Sequence, residues 1–417
     1  MINKLKPKNE FSRNVLTLMT GSTIAQAIPI AISPILTRIY TPADFGVFAL
    51  FVAIVGFFSV VSSARYEQAL LVPKDDEDAI NILSLGLIIN IVISLIVFLI
   101  ISLFHEDISD LFNNKEIDTW LWFTPLTIFF MGLFNLLTYW NNRKKHYSNI
   151  TNATIIKSVI LATSQIILGS IKNGAFGLIG GQILSSVFSN MRLAKAILNN
   201  KKLLKSISKS EMILQAKKYI DFPKYQAPHA MLNNLSSNFP TFVFSSIFNM
   251  GVVGFYSLAT RIIFAPLGIL SNASAKVYSQ KLSELYNDGG DSYGFTVRFL
   301  KSLAKKIILP LAIIALFAPT IFAFVFGQNW GEAGAYTQIL FPWIFLNLLV
   351  STISFIPSLV GMQKKAFVIS IVQLFLIAVA LFTGGYYHSI YLALFLFSIA
   401  NCLVLVYNMA WMVRAIR

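Results

Sequence analysis

The 417-residue sequence predicts an all-α polytopic membrane protein. Apolar residues make up 56% of the chain and charged residues only 12%, whereas a soluble domain carries about 25% charged residues. Apolar runs of roughly 20 residues recur along the whole length, and each is long enough to cross a ~30 Å hydrocarbon core as a helix. A β-barrel would instead show short segments of alternating polarity. The single cysteine, Cys402, lies in one of these runs and excludes a disulfide framework.

The apolar runs predict about twelve transmembrane helices. In chain order these spans are Val15–Leu36, Phe45–Ala64, Ala79–Phe104, Thr119–Trp140, Thr151–Ser170, Ala175–Ile197, Gln226–Phe248, Gly251–Ala275, Leu300–Phe326, Gly334–Val360, Ala366–Gly384 and Ser389–Val413. The first run follows a basic leader and contains the small residues Ala25–Ala27, which is also the pattern of a cleaved signal peptide. Because its apolar character continues beyond them, we expect a full span.

Lysine and arginine predict how the helices are oriented. With the N-terminus in the cytoplasm, the inward segments carry 28 of the 33 basic residues. The outward segments carry three, Arg38, Lys115 and Lys172. Because cytoplasmic segments are rich in Lys and Arg, we expect both termini inside. The net charge of +15 then reflects membrane topology, and no nucleic-acid partner is expected.

The two halves of the chain resemble each other weakly. Ile39–Leu50 aligns with Ile247–Leu258 at an offset of 208 residues. Polar residues with one helical spacing mark the first span and the seventh, namely Ser22, Gln26, Pro29 and Ser33, and His229, Asn233, Ser236 and Pro240. These matches predict two pseudo-symmetric six-helix bundles around a central cavity.

This duplication predicts three parts of the chain: an N-terminal lobe over residues 1–197, a basic linker over 198–225, and a C-terminal lobe over 226–417. Within the linker, lysines alternate with leucine and isoleucine at near-helical spacing. This pattern predicts a helix lying on anionic cytoplasmic lipid, and the alternative is a solvated linker.

Several kinds of chemistry are missing from the sequence. It contains no P-loop motif, no cluster of metal ligands and no arrangement of Ser, His and Asp that indicates a nucleophile. The outward loops are short, which disfavours a membrane glycosyltransferase, polymerase or ligase. We therefore expect a protein that is not an enzyme, with no cofactor, no metal and no catalytic residues.

Two basic residues lie within predicted spans. Lys157 is about six residues from the cytoplasmic end of its span, or ~9 Å, so its long side chain either reaches back to the headgroups or faces the bundle. Arg261 is about ten residues, ~15 Å, from either end. A central arginine costs at least ~2.5–3.5 kcal/mol. Arg261 therefore either faces a hydrated cavity, where its planar fork suits a phosphate, or bonds to helix carbonyls.

Four blocks of sequence resemble a known family. Leu36–Pro73, Asp221–Pro240, Val252–Leu270 and Phe326–Tyr336 are similar to the recurring blocks of bacterial polysaccharide biosynthesis proteins. These are the Wzx-type oligosaccharide flippases of the multidrug/oligosaccharidyl-lipid/polysaccharide (MOP) exporter superfamily. The resemblance covers nearly the whole chain and implies a MATE-like fold in the bacterial inner membrane.

The resemblance also implies a substrate and a site. The substrate is a polyprenyl-diphosphate-linked glycan, and a polysaccharide polymerase and chain-length proteins are the expected protein partners. Related lipid II flippases carry cavity arginines, one of them in the eighth span, which implies that Arg261 holds the diphosphate. The expected substrate-binding residues are Arg261, Lys157, Arg38, Arg65, Gln26, His229, Asn233, Asn234, Ser237 and Asn238. Arg38 and Arg65 lie at span ends, where they could instead anchor the helices, and the polar face of span seven could instead join helices.

The expected function is therefore a flippase for an undecaprenyl-diphosphate-linked oligosaccharide repeat unit of O-antigen, capsule or exopolysaccharide. The main rival is a cation-coupled exporter of small molecules from the same superfamily. Such an exporter usually needs a carboxylate deep in a span, and Asp and Glu occur here only in loops or at span ends. A glycan polymerase or ligase and a non-transporting scaffold are disfavoured further.

Overall fold

The computed structural model describes residues 10–172, 174–198 and 200–417. The chain is 87% helical, and no strand occurs in these described ranges, so the all-α prediction is confirmed. In chain order the helices are α1 Glu10–Ile39, α2 Pro42–Ser59, α3 Tyr66–Ala69, α4 Asp76–Leu111, α5 Lys115–Leu121, α6 Thr124–Arg143, α7 Tyr147–Ile171, α8 Phe176–Leu198, α9 Lys201–Leu204, α10 Lys209–Lys218, α11 Ala227–Ile247, α12 Met250–Asn287, α13 Ser292–Leu316, α14 Ala318–Phe326, α15 Gly331–Thr352, α16 Ile356–Leu359, α17 Gln363–Tyr386 and α18 Ile390–Ala415.

Most of these helices are suited to a bilayer. Within the described ranges, eight are long and apolar enough to cross a membrane, and two bent helix pairs bring the number to ten. The chain is therefore a multi-pass membrane protein. Each predicted span coincides with one of these ten or with α8 or α11, which are less apolar because each carries a polar face. The count of twelve spans stays a prediction.

Proline breaks two of the spans. Helices α5 and α6 are bent by 52°, and α13 and α14 by 67°. Pro125 and Pro319 each lie in the first turn of the second helix of the pair. Proline has no N–H to donate and its ring clashes with the preceding turn, so it starts a helix well but does not continue one.

Glycines bring α7 and α8 close together. A Cβ atom on Gly177 would lie 2.6 Å from the backbone nitrogen of Gly169, so only glycine permits this approach. The Tyr40 hydroxyl donates to the Gln165 carbonyl at 2.6 Å, and the Gln165 amide donates to the Leu178 carbonyl at 3.2 Å. Small residues with hydrogen bonds between helices are the usual means of packing helices in lipid.

The basic linker folds onto the same bundle. The Asn81 side chain, on α4, accepts from the Ser208 N–H at 2.9 Å and donates to the Ser206 carbonyl at 3.1 Å. The Tyr66 hydroxyl donates to the Ala216 carbonyl at 3.0 Å. The linker is thus partly helical, as α9 and α10, and it is anchored. Its contact with anionic lipid stays a prediction.

Arg143, at the end of α6, holds the loop that precedes α4. Its guanidinium donates to Asp76 Oδ1 at 3.1 Å and to four backbone carbonyls, those of Leu70, Pro73, Lys74 and Asp75, at 2.6–3.1 Å. Asp76 also forms an ion pair with Lys144. These contacts lower the pKa of Asp76 below its usual value. The hydrogen bond from Lys144 has the largest effect, and the hydrogen bond from Arg143 lowers the pKa further. We call this arrangement the Arg143 clamp.

Helices α12, α15 and α18 form the core of the second half through aromatic contacts. The Trp343 ring lies edge-on to two other rings. Its centre is 5.0 Å from the centre of the Phe264 ring and 4.9 Å from that of Phe397. Tyr278 is buried and its hydroxyl lies 2.8 Å from that of Thr296. Helix α12 continues to Asn287, twelve residues past the predicted end of its span, because hydropathy reports where a helix leaves the bilayer and not where it ends.

The chain divides into two compact units, one ending at Ser246 and the other comprising Ile247–Arg417. The first unit includes α11, whose Phe242 ring stacks on Phe112 at 6.3 Å. The sequence places the boundary between its lobes one helix earlier, at the linker. Which helices move together as a lobe stays a prediction.

Candidate substrate-binding site

Arg261 lies in α12, eleven residues after the helix begins at Met250. The start of α12 is set by Asn249, whose side chain accepts from the Val252 N–H at 3.1 Å. Arg261 is therefore about 16 Å along the helix, near the middle of a ~30 Å core if the helix enters the membrane at Met250. Its side chain is half-buried. Among the residues that the structure describes, it has no hydrogen-bond or ion-pair partner, so a bond to helix carbonyls is not observed.

Lys157 is the second basic residue within a span, on α7. Its Nζ atom lies 4.5 Å from the centre of the Phe134 ring on α6, which is within the range of a cation–π contact. The neighbouring Ser158 hydroxyl donates to the Ala25 carbonyl at 2.8 Å and fixes α7 against α1. The ammonium is thus directed onto an aromatic ring inside the bundle.

The other two arginines of the predicted site have local partners. Arg38 is exposed and donates to the Pro34 carbonyl one turn earlier. Arg65 has a left-handed backbone, with φ 64°, and lies 3.3 Å from Glu67 Oε1. Glu67 is buried and accepts from Ser63, and burial is the main cause that raises its pKa. The pairing with Glu67 favours an anchoring role for Arg65, whose contact with substrate stays a prediction.

Helix α11 carries five of the predicted polar residues, spread over a face as wide as half of the helix. His229, Asn233 and Ser237 are exposed, and Asn234 and Asn238 are half-buried. The Asn238 amide donates to the side-chain oxygen of Asn234 at 3.1 Å, and the Ser237 hydroxyl donates to the Asn233 carbonyl at 2.9 Å. The face is therefore ordered by its own hydrogen bonds, and it offers amide and hydroxyl groups to a polar ligand. Gln26 on α1 is likewise exposed.

The second unit contains a pocket, mostly apolar with four polar side chains in its lining, that the sequence alone does not reveal. It lies between α12 and α15, has a volume of about 180 Å³, and includes Phe264, Gly268, Ser271, Asn272, Asn347 and Ser351 in its lining. The hydroxyl oxygens of Ser271 and Ser351 are 2.6 Å apart. The signal in the sequence is slight, because Asn347 and Ser351 lie one turn apart in an otherwise apolar run. We call this cavity the α12–α15 pocket.

Nine of the ten predicted residues belong to the first unit, and only Arg261 belongs to the second. Their convergence on one central cavity stays a prediction. In the described ranges, no group of three or more His, Cys, Asp or Glu side chains could hold a metal ion.

Solved structures share this fold. The structure titled lipid II flippase MurJ in its inward closed conformation is 13% identical with a TM-score of 0.71, over 95% of this chain and 87% of that chain. A MOP superfamily transporter from Pyrococcus furiosus is 14% identical with a TM-score of 0.64, over 97% and 95%. An outward-facing multidrug resistance MATE transporter of the MOP superfamily is 14% identical with a TM-score of 0.61, over 97% and 96%. The chain therefore has the MOP transporter fold, as predicted.

The sequence itself identifies the family. Residues 35–335 match the family described as polysaccharide biosynthesis protein, and the chain belongs to it. The matched region contains three of the four resembling blocks in full and all but the last residue of the fourth, so the resemblance is confirmed. No curated protein sequence shows a significant match to the chain.

Proposed function

We propose that the protein is a flippase that moves an undecaprenyl-diphosphate-linked oligosaccharide repeat unit from the cytoplasmic leaflet to the outer leaflet of the bacterial inner membrane. The glycan would belong to O-antigen, capsule or exopolysaccharide. Both termini would be cytoplasmic, and the flipped unit would pass to a polysaccharide polymerase and its chain-length proteins. Membership of the polysaccharide biosynthesis family supports the glycan pathway.

The main support for the proposal is that the Arg261 guanidinium has no partner among the described residues. A guanidinium deep in an apolar helix is costly, and no other described residue neutralises it. A diphosphate supplies the missing negative charge, and its oxygens match the planar donors of arginine. The charge would then be compensated only while substrate is bound.

The other predicted residues would bind different parts of the substrate headgroup. Lys157, over the Phe134 ring, would add a second positive charge. The amides and hydroxyls of α11, with Gln26, would form hydrogen bonds to sugar hydroxyls. The polyprenyl chain would stay in lipid, where it has no desolvation cost, and the two lobes would rock to expose the headgroup to either side.

Deletion of the gene tests the function. We expect lipid-linked repeat units to accumulate on the cytoplasmic leaflet and the surface glycan to disappear, with both restored by the intact gene. If export of the glycan continued while susceptibility to drugs changed, the protein would be an exporter of small molecules and the proposal would be wrong.

Substitution of Arg261 tests the site. Arg261→Ala and Arg261→Lys should reach the membrane at normal levels and fail to restore export, because neither offers a bidentate donor to the diphosphate. Arg298→Ala is the matched control, since Arg298 is exposed and, among the described residues, pairs only with the exposed Asp291 at 3.3 Å. Full export by Arg261→Ala would show that this charge does not hold the substrate.

A further inference from the structure

The α12–α15 pocket has hydrogen-bonding groups that the protein itself does not use. The Ser351 hydroxyl donates to the Leu348 carbonyl at 2.9 Å, so the Ser271 hydroxyl is the donor in the 2.6 Å contact between the two serines. Asn272 and Asn347 make no side-chain hydrogen bond with the part of the chain that is described. Each amide therefore offers two donors and one acceptor to whatever fills the cavity.

The shape of the pocket admits a compact group. A Cβ atom on Gly268 would meet nothing within 4 Å, so this part of α12 leaves open space. The Phe264 ring forms one wall and is held edge-on by Trp343. The volume of about 180 Å³ exceeds the ~30 Å³ that a single water occupies in the liquid, so the cavity can take a ring-sized ligand.

The lining also limits the chemistry of the ligand. Its polar members are amides and hydroxyls, and no ionisable side chain is part of it. An ion would gain no charge partner here, and a hydrocarbon would leave the amide of the half-buried Asn347 without a hydrogen-bond partner, which costs free energy. A neutral group with several hydroxyls and one apolar face satisfies both the amides and the Phe264 ring.

The position of the pocket on α12 connects it with Arg261. On an ideal helix, Arg261, Gly268 and Asn272 fall within an arc of about 40°, so they lie along one face. Gly268 is seven residues from Arg261, or about 10 Å along the axis. A diphosphate held at Arg261 would thus leave the sugars attached to it within reach of the pocket.

We propose that the α12–α15 pocket is a sugar subsite that binds one residue of the lipid-linked glycan, with Asn272 and Asn347 bonding its hydroxyls and Phe264 lying against its ring. This inference rests on the proposed function, since it takes the glycan as the substrate. It adds a second contact on the helix that carries Arg261, through groups that recognise sugar and not charge.

The test measures sugar binding separately from transport. The probe is the oligosaccharide released by mild acid from the lipid-linked intermediates of the source strain, titrated calorimetrically into the full-length protein in nanodiscs. Gly268→Leu fills the cavity and should weaken binding by about tenfold or more, and Asn347→Leu should weaken it by about tenfold, the effect of one or two lost hydrogen bonds. Leu270→Phe is the matched control, because Leu270 is 40% exposed on the same helix and is not part of the lining. Gly268→Ala, which adds only a methyl group, should have an intermediate effect.

The outcomes separate the two proposals. Equal affinity in the wild-type protein and in Gly268→Leu, with both proteins folded by thermal melting, overturns the sugar subsite, and so does an absence of binding to the wild-type protein. Neither result bears on the flippase, which the gene deletion tests. If Gly268→Leu loses both sugar binding and export while Leu270→Phe keeps both, the subsite is supported.

Discussion

Loss of the Arg143 clamp should destabilise the first unit by an amount that the structure allows us to estimate. The Arg143 side chain is only 9% exposed and makes five hydrogen bonds, one of them to the Asp76 carboxylate. A hydrogen bond to a charged group contributes about 1.5–3 kcal/mol. The five do not add, because they share one side chain and because water can reach the carbonyls once it is removed. We expect Arg143→Ala to lower the free energy of unfolding by about 2–4 kcal/mol, somewhat less than the ~3–5 kcal/mol for a fully buried pair, because the Asp76 side chain is 36% exposed.

The assay is thermal unfolding of the detergent-purified protein, followed by the fraction that remains monodisperse after heating. For a chain of this size we expect the midpoint to fall by on the order of 5 °C. Arg143→Lys should recover only part of this loss, since one ammonium cannot reach the carbonyls and the carboxylate together. Lys74→Gln is the matched control, because the Lys74 side chain is exposed in the same loop and should leave the midpoint unchanged. A midpoint for Arg143→Ala indistinguishable from that of the control would refute the reasoning.

Two further predictions concern charge and packing in the same unit. Because the pKa of Asp76 is lowered in the folded state, its contribution to stability is present above the unfolded pKa of about 3.9 and is lost as the pH falls through the folded pKa. The midpoint difference between the wild-type protein and Asp76→Asn should therefore shrink from about pH 7 to about pH 3, and a constant difference would contradict this. Gly177→Ala should lower stability by about 1–3 kcal/mol, since its Cβ would meet the Gly169 backbone at 2.6 Å. Gly180→Ala is the control, because its Cβ would meet only the end of the Leu168 side chain at 3.1 Å, and equal melting points for the two variants would count against the close approach of α7 and α8.

Much of the fold could be predicted because hydropathy is a local property. A run such as Ala366–Gly384 is apolar in every turn, and it coincides with α17. The bends before α6 and α14 were not predicted, although Pro125 and Pro319 stand at both breaks. Proline also occurs inside unbroken helices, as Pro266 does in α12, so its presence does not by itself indicate a bend.

The candidate site was predicted less completely. Arg261 stands out in the sequence because a charge in an apolar run is conspicuous without any knowledge of its neighbours. The pairing of Arg65 with Glu67 could be found only from the structure. Arg65 has a left-handed backbone, and its residue type does not predict that conformation. The α12–α15 pocket was missed altogether, since Ser271 and Ser351 are 80 residues apart and each is an unremarkable serine in its own helix.

The membrane class, the family, the positions of most apolar helices and the unusual charge of Arg261 could all be read from residue types, because each of these depends on the composition of single segments. Only the packing of the helices shows which polar groups are paired within the protein and which are available to a ligand. Lys157 meets an aromatic ring, Glu67 neutralises Arg65, and Asn347 has no partner among the described residues. Such pairings depend on how helices distant in sequence pack together, and packing in lipid is set by close contacts between particular side chains that hydropathy does not record.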